Sequence, residues 1–317
     1  MTTRGGAMMI AAAGLRKSFG AKVVLDGIDL DIAEGTIFSM LGPNGAGKTT
    51  TVRILSTLIR PDSGQVRIAG HDLAGNPDAV RAVIGVTGQF SAVDNLLTGA
   101  ENLAMMAGLL RLERGHRQRR VAGLLGQFDL TEAAGNPVST YSGGMRRRLD
   151  LAMTLVGSPR VIFLDEPTTG LDPRSRRAMW DRIRDLADDG VTIFLTTQYL
   201  EEADRLADRI VVLDHGRIVA DGTAAELKRR VPGGHIRMRF ADSAHLRAAR
   251  AVLGAARVDE EALAIEVPDT GDVRSLRALL DRLDTAAIEV EGLSVHTPDL
   301  DDVFLALTGR PAEEVAR

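Results

Sequence analysis

Cysteine is absent from this 317-residue sequence. Its absence excludes disulfide bonds, thiolate metal sites and a cysteine nucleophile. Aromatic residues are also scarce, at 3% of a chain that is 44% hydrophobic, so the core must be built from Leu, Val, Ile and Ala. The six histidines are scattered without the spacing of metal ligands, and we interpret them as surface or loop residues.

Long apolar runs are missing as well. No run approaches the roughly 18 to 20 residues that are needed to span a bilayer, so we expect no transmembrane segment. The apolar residues 7–15 are interpreted as the approach to a first strand rather than as a signal peptide. A net charge of −4 provides no overall attraction to nucleic acid or anionic lipid, and we expect no nucleic-acid partner. Together these absences predict an intracellular protein that acts on a membrane only through another chain.

What the sequence does contain is a glycine-rich stretch that fits the pattern G-x-x-x-x-G-K-S/T. It consists of Gly42, Pro43, Asn44, Gly45, Ala46, Gly47, Lys48, Thr49 and Thr50. Residues 36–41 before it indicate a buried strand, and residues 50–58 after it have helical spacing. Glycines let such a loop wrap around an anion with its amide hydrogens pointing inward, and the helix adds the positive end of its dipole. An ordinary glycine turn needs neither the lysine nor the threonine, so we predict a nucleoside triphosphate site in which Lys48 reaches the terminal phosphates and Thr49 helps to hold Mg²⁺.

Strand and helix patterns alternate along the first two thirds of the chain, which is typical of a parallel α/β sheet. We predict strands at residues 8–16, 22–33, 36–41, 65–68, 80–87, 161–164 and 191–196, helical structure at residues 96–129, and a hairpin at residues 211–219. A linker lies near residues 229–234. Beyond it, residues 233–317 are predicted to form a small α+β domain of the order βαββαβ. Its strands are expected at residues 236–240, 263–267 and 287–295, and its helices at residues 243–253 and 272–283.

Two carboxylates, Asp165 and Glu166, follow the predicted strand at residues 161–164. An acidic pair after a strand is common when taken alone. Beside a phosphate-binding loop, however, Asp165 would complete the Mg²⁺ shell and Glu166 would orient or deprotonate the attacking water.

A third motif, Tyr141-Ser142-Gly143-Gly144-Met145, precedes a helix that begins with three arginines, at residues 146–148. Its small residues and the helix N-terminus predict a second anion site. The arginines are interpreted as a solvated helix face, with one of them near a partner-bound phosphate as the alternative. One chain does not need two phosphate cradles for one nucleotide, whereas two chains that face each other head to tail do. The motif therefore favours a homodimer.

Taken together, these motifs resemble those of the ATP-binding cassette (ABC) ATPases over residues 8 to 225. The resemblance implies an α/β cassette within residues 1–228, with a RecA-like core, an antiparallel β subdomain and a helical subdomain at about residues 92–158, followed by the small α+β domain. It also implies that Ser142, Gly143 and Gly144 close over ATP bound to the P-loop of a partner copy.

The resemblance assigns roles to further residues. Gln89 resembles the residue that touches Mg²⁺ and links the site to a membrane domain. Phe19 stands where an aromatic ring stacks on adenine, with core packing as the alternative; because stacking does not discriminate between purines, GTP stays open beside ATP. Residues 169–172 resemble the loop that crosses to the other subunit, with Asp172 at its end. Gln198 replaces the usual switch histidine: its amide can donate a hydrogen bond to the γ-phosphate but cannot titrate, which leaves Glu166 as the main candidate base.

A narrower resemblance, to the daunorubicin-resistance (DrrA-type) drug-export ATPases, rests on residues 141–150, 196–204 and 300–309. It implies two copies of this ATPase on the cytoplasmic side of a bacterial plasma membrane, bound to a separate multi-span permease. The C-terminal domain would support assembly or simply stabilise the chain. Cargo would bind in the permease, so a drug, a lipid and another amphiphile all remain open.

Two alternatives belong to other classes. A soluble ABC ATPase acting on ribosomes or DNA typically carries two cassettes or a long coiled coil, and neither feature is seen here. A P-loop GTPase or kinase gives Ser142-Gly143-Gly144 no role, and the guanine-reading sequence Asn-Lys-x-Asp is absent.

Overall fold

A computed structural model describes residues 8–88, 92–231, 234–254, 257–268, 273–296 and 298–309. The described residues divide into two compact units, the first ending at Ala224 and the second beginning at Ala225. Within the described ranges, no helix is both long and apolar enough to cross a membrane.

The first unit contains both strands and helices. Its elements are β1 (Met8–Phe19), β2 (Lys22–Ala33), β3 (Ile37–Leu41), α1 (Lys48–Leu55), β4 (Ser63–Ile68), β5 (His71–Asp72), α2 (Pro77–Val83), β6 (Ile84–Thr87), α3 (Gly99–Leu109), α4 (Arg114–Gln127), α5 (Gly143–Thr154), β7 (Val161–Asp165), α6 (Pro173–Asp188), β8 (Thr192–Thr197), α7 (Leu200–Leu206), β9 (Arg209–Asp214) and β10 (Arg217–Gly222). The strands of this unit form two sheets.

A six-stranded sheet in the order β10-β9-β3-β8-β7-β6 positions the functional residues. All its neighbours pair in parallel except β10, which returns beside β9 as a hairpin. Every residue of β3, β7 and β8 is buried, as expected for strands covered on both faces. Leu41 pairs with Thr197, and Asp165 pairs with Thr196. The segments that follow these strands therefore leave the same edge of the sheet, where α/β proteins bind ligands.

The second sheet of the unit is antiparallel, in the order β2-β1-β4-β5. Alternating apolar residues of β2, such as Ile28, Leu30 and Ile32, are buried in one cluster with Val52 and Leu55 of α1. This packing fixes the helix that carries Lys48 and Thr49 against both sheets.

The predicted strand at residues 80–87 is wrong in its first half, because residues 77–83 form α2 and only Ile84–Thr87 are a strand. The side chain of Asn76 caps this helix by accepting a hydrogen bond from the amide of Ala79, and Pro77 occupies its first turn. Asn followed by Pro is a local start signal for a helix. The apolar residues of the segment fit a strand pattern as well as a helix pattern.

The second unit contains α8 (Ala224–Arg229), which begins at the boundary, and then β11 (His235–Arg239), α9 (Ser243–Leu253), β12 (Arg257–Asp259), β13 (Ala264–Pro268), α10 (Val273–Thr285), β14 (Gly292–His296) and α11 (Leu300–Thr308). Its antiparallel sheet has the order β12-β13-β11-β14, the split βαβ arrangement. Leu246 of α9 and Leu283 of α10 pack in one cluster with Ile236, Met238 and Ile265 of the sheet. The predicted order βαββαβ is thus confirmed for β11 to β14.

Two details of this unit differ from the prediction. The last strand starts at Gly292 rather than at residue 287, because Ala287 lies in a turn with φ of 54°. Helix α11 was not predicted, although Asp299 and Asp302 form a capping box at its start, which is a local sequence signal.

Candidate active site

The P-loop joins β3 to α1, and its glycines stand where side chains cannot. A Cβ atom on Gly42 would lie 2.2 Å from the carbonyl oxygen of Leu213. Gly47 has φ of 117°, and a Cβ there would lie 2.6 Å from a methyl group of Leu25. The loop is therefore pressed against β2 and β9, which fixes its backbone. Of the other predicted loop residues, Ala46 is buried, Pro43 and Thr50 are half-buried, and Asn44 and Gly45 are exposed.

Lys48, the first residue of α1, is only 4% exposed. Its ammonium donates to the carbonyl oxygens of Gly42 at 2.6 Å and Pro43 at 3.1 Å, and lies 3.9 Å from a carboxylate oxygen of Glu166. Burial lowers the pKa of Lys48, while the charges of Glu166 and Asp165 oppose that shift. A desolvated ammonium gains more from an anionic ligand than an exposed one does.

Thr49 and Asp165 are brought together, as the motifs predict. The hydroxyl of Thr49 lies 3.4 Å from Oδ1 of Asp165, and the hydroxyl of Thr196 donates to the same carboxylate oxygen. Asp165 is 3% exposed. Both predicted ligands offer hard oxygen donors, the type that Mg²⁺ takes from proteins beside substrate phosphates, so the residues present fit the ion. Among the described residues, no group of three or more His, Cys, Asp or Glu side chains is arranged to hold a metal.

Glu166 follows β7 with φ of 51°, in the left-handed region. A residue other than glycine pays about 1–3 kcal/mol for such a conformation, which is frequent at functional sites. Its amide donates to the carbonyl oxygen of Thr196 at 3.1 Å, and its Oε2 accepts a hydrogen bond from Thr169 at 3.3 Å. The turn thereby fixes its carboxylate within 3.9 Å of Lys48.

The second predicted anion site lies at the start of α5. Ser142 caps this helix by accepting a hydrogen bond from the amide of Met145 at 3.2 Å, and Ser142 and Gly143 are exposed. A Cβ on Gly144 would lie 2.6 Å from the hydroxyl oxygen of Ser175 in α6. A cavity of about 40 Å³ is lined by Ser142, Gly144, Met145, Arg148 and Ser175.

Asp172 caps α6 beside this cavity. Its carboxylate accepts hydrogen bonds from the amides of Arg174 and Ser175, at 3.0 Å each, and from the Ser175 hydroxyl. The structure therefore brings Asp172 and Gly144 together through Ser175, a residue that the sequence reasoning missed. A capping aspartate followed by proline is the local signal that predicts a helix start here.

The remaining predicted residues are placed differently. Phe19 is 51% exposed at the end of β1, with the ammonium of Lys17 5.4 Å from its ring centroid, so the alternative of core packing is wrong. Gln198 follows β8, and its Oε1 is buried without a hydrogen-bond partner in the described ranges. Gln89 lies outside the described residues.

The interpretation of Arg147 as part of a solvated helix face is wrong. Its side chain is only 12% exposed, and it donates to the main chain beside both acidic residues, for example to the carbonyl oxygen of Glu166 at 3.2 Å. The helix packs this face against the carboxyl end of β7, which a composition of three consecutive arginines could not reveal.

A buried acid, Glu202 of α7, was also missed. Its side chain is fully buried, and Oε1 accepts hydrogen bonds from Thr168 at 2.8 Å and from the indole of Trp180 at 2.9 Å. Burial raises the pKa of Glu202, and the hydrogen bonds oppose the shift. Glu202 joins the loop after Glu166 to α6.

Comparison with known proteins agrees with this geometry. The family model of the ABC transporter matches residues 25–169. The chain is 46% identical to the daunorubicin/doxorubicin resistance ATP-binding protein DrrA of Streptomyces peucetius, with 96% of this chain and 94% of that protein covered. It is also 46% identical to the doxorubicin resistance ATP-binding protein DrrA of Mycobacterium tuberculosis, over 97% and 96%. The Nod factor export ATP-binding protein I of Ralstonia nicotianae is 42% identical over 70% of each chain.

Solved structures agree on the fold. An ATP-binding subunit of an ABC transporter superposes with a TM-score of 0.63 at 28% identity, covering 70% of this chain and 92% of that chain. The ADP conformation of an ABC transporter cassette gives a TM-score of 0.64 at 21% identity, over 69% and 92%, a level that shows the fold alone. The predicted ABC cassette fold is confirmed, and the GTPase and kinase alternative is wrong. The chain belongs to the DrrA-type ATP-binding proteins of the ABC transporter family and is the ATP-hydrolysing subunit of an ABC exporter.

Proposed function

We propose that two copies of this chain sandwich two ATP molecules and thereby power the export of drugs or other amphiphiles through a separate multi-span permease. The observation that supports the proposal is that the chain has two candidate anion sites with no residue in common. One is the P-loop with Asp165 and Glu166, and the other is the cavity at Ser142 and Gly144. A head-to-tail pair gives each ATP one region from each copy.

In each site, one copy holds the phosphates and the metal. The P-loop amides and the ammonium of Lys48 bind the phosphate oxygens. Thr49, Asp165 and Gln89 would hold Mg²⁺, which would supply neutralising charge beside the phosphates. Glu166 orients the attacking water and accepts its proton, because its carboxylate is fixed beside Lys48 by the turn after β7.

The switch position is filled by an amide rather than an imidazole. Gln198 donates a hydrogen bond from its amide nitrogen to the γ-phosphate, since an amide offers two donors without titrating. The exposed ring of Phe19 stacks on the adenine. Stacking alone accepts guanine too, so we expect GTP to compete with ATP.

The partner copy completes the site. Ser142, Gly143 and Gly144 present a helix N-terminus to the γ-phosphate, and Asp172 contacts the partner near the same place. Hydrolysis would then separate the copies and reset the permease, with the dimer bound to the cytoplasmic side of the plasma membrane. We favour anthracycline-like compounds as the cargo, because the DrrA relatives named above are daunorubicin or doxorubicin resistance proteins.

The test is a pull-down of tagged Glu166→Gln from detergent-solubilised native membranes with Mg-ATP at a concentration near the parental dissociation constant, with Lys48→Ala as the control that should bind ATP more weakly. We expect Glu166→Gln to be recovered as a dimer with a stoichiometric multi-span permease, and Lys48→Ala to be recovered without the ATP-dependent dimer. Ribosomal proteins in place of a permease would contradict the export proposal. A Glu166→Gln chain that stays monomeric at saturating Mg-ATP in the presence of its permease would contradict the sandwich.

A further inference from the structure

Arg147, in the first turns of α5, uses all of its hydrogen-bonding capacity. A guanidinium has five N–H donors, and each of the five has an acceptor here at 2.8–3.4 Å. The acceptors are the carbonyl oxygens of Gly88, Asp165, Glu166 and Pro167 and the Oδ2 atom of Asp150. Three of these carbonyls are consecutive and belong to the segment that carries both candidate catalytic carboxylates.

Asp150, one turn further along α5, extends the contact. Its side chain is 5% exposed. One carboxylate oxygen accepts from Arg147 at 3.2 Å, and the other accepts from the amide of Ala92 at 3.2 Å. Gly88 and Ala92 flank residues 89–91 along the chain. The ion pair therefore holds both flanks of the segment that contains Gln89.

The clamped backbone is also strained. Glu166 has its left-handed φ of 51° in the middle of the three carbonyls that Arg147 binds. Such a conformation persists only where the surroundings over-determine it. Fixed donors on one side of the turn, together with the carbonyl of Thr196 on the other, provide that constraint.

We propose that Arg147 and Asp150 form a positioning pair, which holds the flanks of Gln89 and the turn of Asp165 and Glu166 in one fixed arrangement for hydrolysis. The inference rests on the proposed roles of Asp165, Glu166 and Gln89. Lysine cannot replace this arginine, because it has three donors on one atom instead of five in a planar fork. Neither residue needs to touch ATP.

The carboxylates around Arg147 also support a positioning role for this residue. Burial lowers the pKa of Arg147, and the carboxylates of Asp150, Glu202 and Asp165 oppose the shift. An arginine stays protonated in proteins, so the buried charge depends on Asp150 as its direct partner. Removing the carboxylate charge should therefore loosen Arg147 as well.

The experiment compares full-length Arg147→Lys, Arg147→Gln and Asp150→Asn with the parent chain. The matched control is Arg120→Gln, another half-buried arginine, which donates instead to the carbonyl oxygen of Leu155 beyond the far end of α5. Four quantities are measured: kcat, KM for Mg-ATP, the dissociation constant of ATP without Mg²⁺, and amide hydrogen exchange at residues 88–92 and at Asp165 and Glu166, since Pro167 has no amide hydrogen. Fluorescence of Trp180, the single tryptophan, verifies that each variant is folded.

We expect roughly a 10- to 100-fold loss of kcat in both Arg147 variants, the range found when residues behind catalytic ligands are removed. ATP affinity without Mg²⁺ should change less than about threefold, because the P-loop is untouched. Exchange should rise at both segments together in the Arg147 and Asp150 variants, and at neither in Arg120→Gln.

Parental kcat in Arg147→Gln, unchanged exchange at either segment, or equal effects in Arg120→Gln would overturn the positioning pair. Failure of the proposed function looks different. A parent chain that does not hydrolyse ATP even with its permease, or a Glu166→Gln variant that hydrolyses normally, rejects the assigned catalytic roles. The exchange data then decide whether Arg147 joins the two segments.

Discussion

The P-loop and the predicted second anion site, at Ser142 and Gly144, are both helix N-termini, yet the chain encloses only one of them within its own core. Lys48 is 4% exposed, and Gly42 and Gly47 have no room for a side chain because β2 and β9 press against them. Ser142 and Gly143, in contrast, are exposed. A loop fixed by its own core is organised before any ligand arrives. An exposed helix start leaves backbone amides free to bind a ligand held by a second copy of the chain. This is the form expected of one half of a site shared by two copies.

The largest effect is expected from a substitution of the candidate base beside the P-loop. Glu166→Gln removes the candidate base but keeps the shape of the side chain and the turn. We expect kcat to fall by about 10²- to 10⁴-fold, while ATP binding stays near the parental affinity. Steady-state ATPase assays and ATP titration measure the two quantities. The control is Glu201→Gln, an exposed acid in α7; a normal kcat in Glu166→Gln would falsify the assignment of the base.

A second prediction separates binding from folding in the same region. Lys48→Ala should weaken ATP binding by about tenfold or more, because a desolvated charge opposite phosphate is lost. The free energy of unfolding should change little, because the cost of burying the ammonium offsets what its hydrogen bonds to the carbonyl oxygens of Gly42 and Pro43 contribute. Lys22→Ala, at an exposed position, serves as the control. Strong destabilisation of Lys48→Ala in urea would show that the lysine is structural.

Whether a site residue can be predicted from the sequence depends on whether its contacts are close to it in the chain. The P-loop and the pair Asp165-Glu166 are contiguous in sequence, so residue type and spacing were enough to find them. The burial of Arg147 was not predictable in this way, because its acceptors Gly88 and Pro167 lie 59 and 20 residues away in the chain. Only the packing of α5 against the end of β7 distinguishes it from its neighbours.

Two helices that the sequence analysis did not predict do have local signals. Asn76 and Pro77 mark the start of α2, and Asp299 with Asp302 marks the start of α11. Short apolar segments fit a strand and a helix equally well, and the capping residues distinguish the two. Residue roles that depend on a second copy remain predictions, since a single chain carries only half of each proposed site.

The substitution Gly144→Ala tests the predicted second anion site. The new Cβ would meet the Ser175 hydroxyl at 2.6 Å, so that side chain must move and its hydrogen bond to Asp172 is disturbed. We expect the monomer to bind ATP normally, whereas ATP-dependent dimer formation by Glu166→Gln should weaken about tenfold, the scale of one lost hydrogen bond to a charged group. Light scattering on the double variant measures this.

Gly126→Ala is the control for that substitution, because a Cβ at Gly126 in α4 meets no atom within 4 Å. It should leave both ATP binding and dimer formation unchanged. Equal loss of ATP affinity and dimer formation in Gly144→Ala would contradict the division of the two regions.

The smallest effect is expected at Glu202, which connects the two regions through Thr168 and Trp180. Burial raises the pKa of this carboxyl in the folded state. From the ordinary pKa of glutamate, about 4.3, upward to the raised value, the unfolded chain has lost the proton while the folded chain retains it. The unfolded state therefore binds fewer protons, and the contribution of Glu202 to stability falls as the pH rises through this window.

Glu202→Gln cannot ionise, so its stability relative to the parent should increase with pH across that window. Urea unfolding followed by Trp180 fluorescence at several pH values measures the difference, with Glu201→Gln as the exposed control. The stability of Glu201→Gln relative to the parent should not increase with pH in this window. A Glu202→Gln difference that is constant with pH would mean that the buried carboxyl has an ordinary pKa. The link between the regions would then depend on an ionised group, held by its hydrogen bonds against the cost of burial, and α6 would be tied to the hydrolytic loop by charge rather than by a neutral hydrogen-bonded acid.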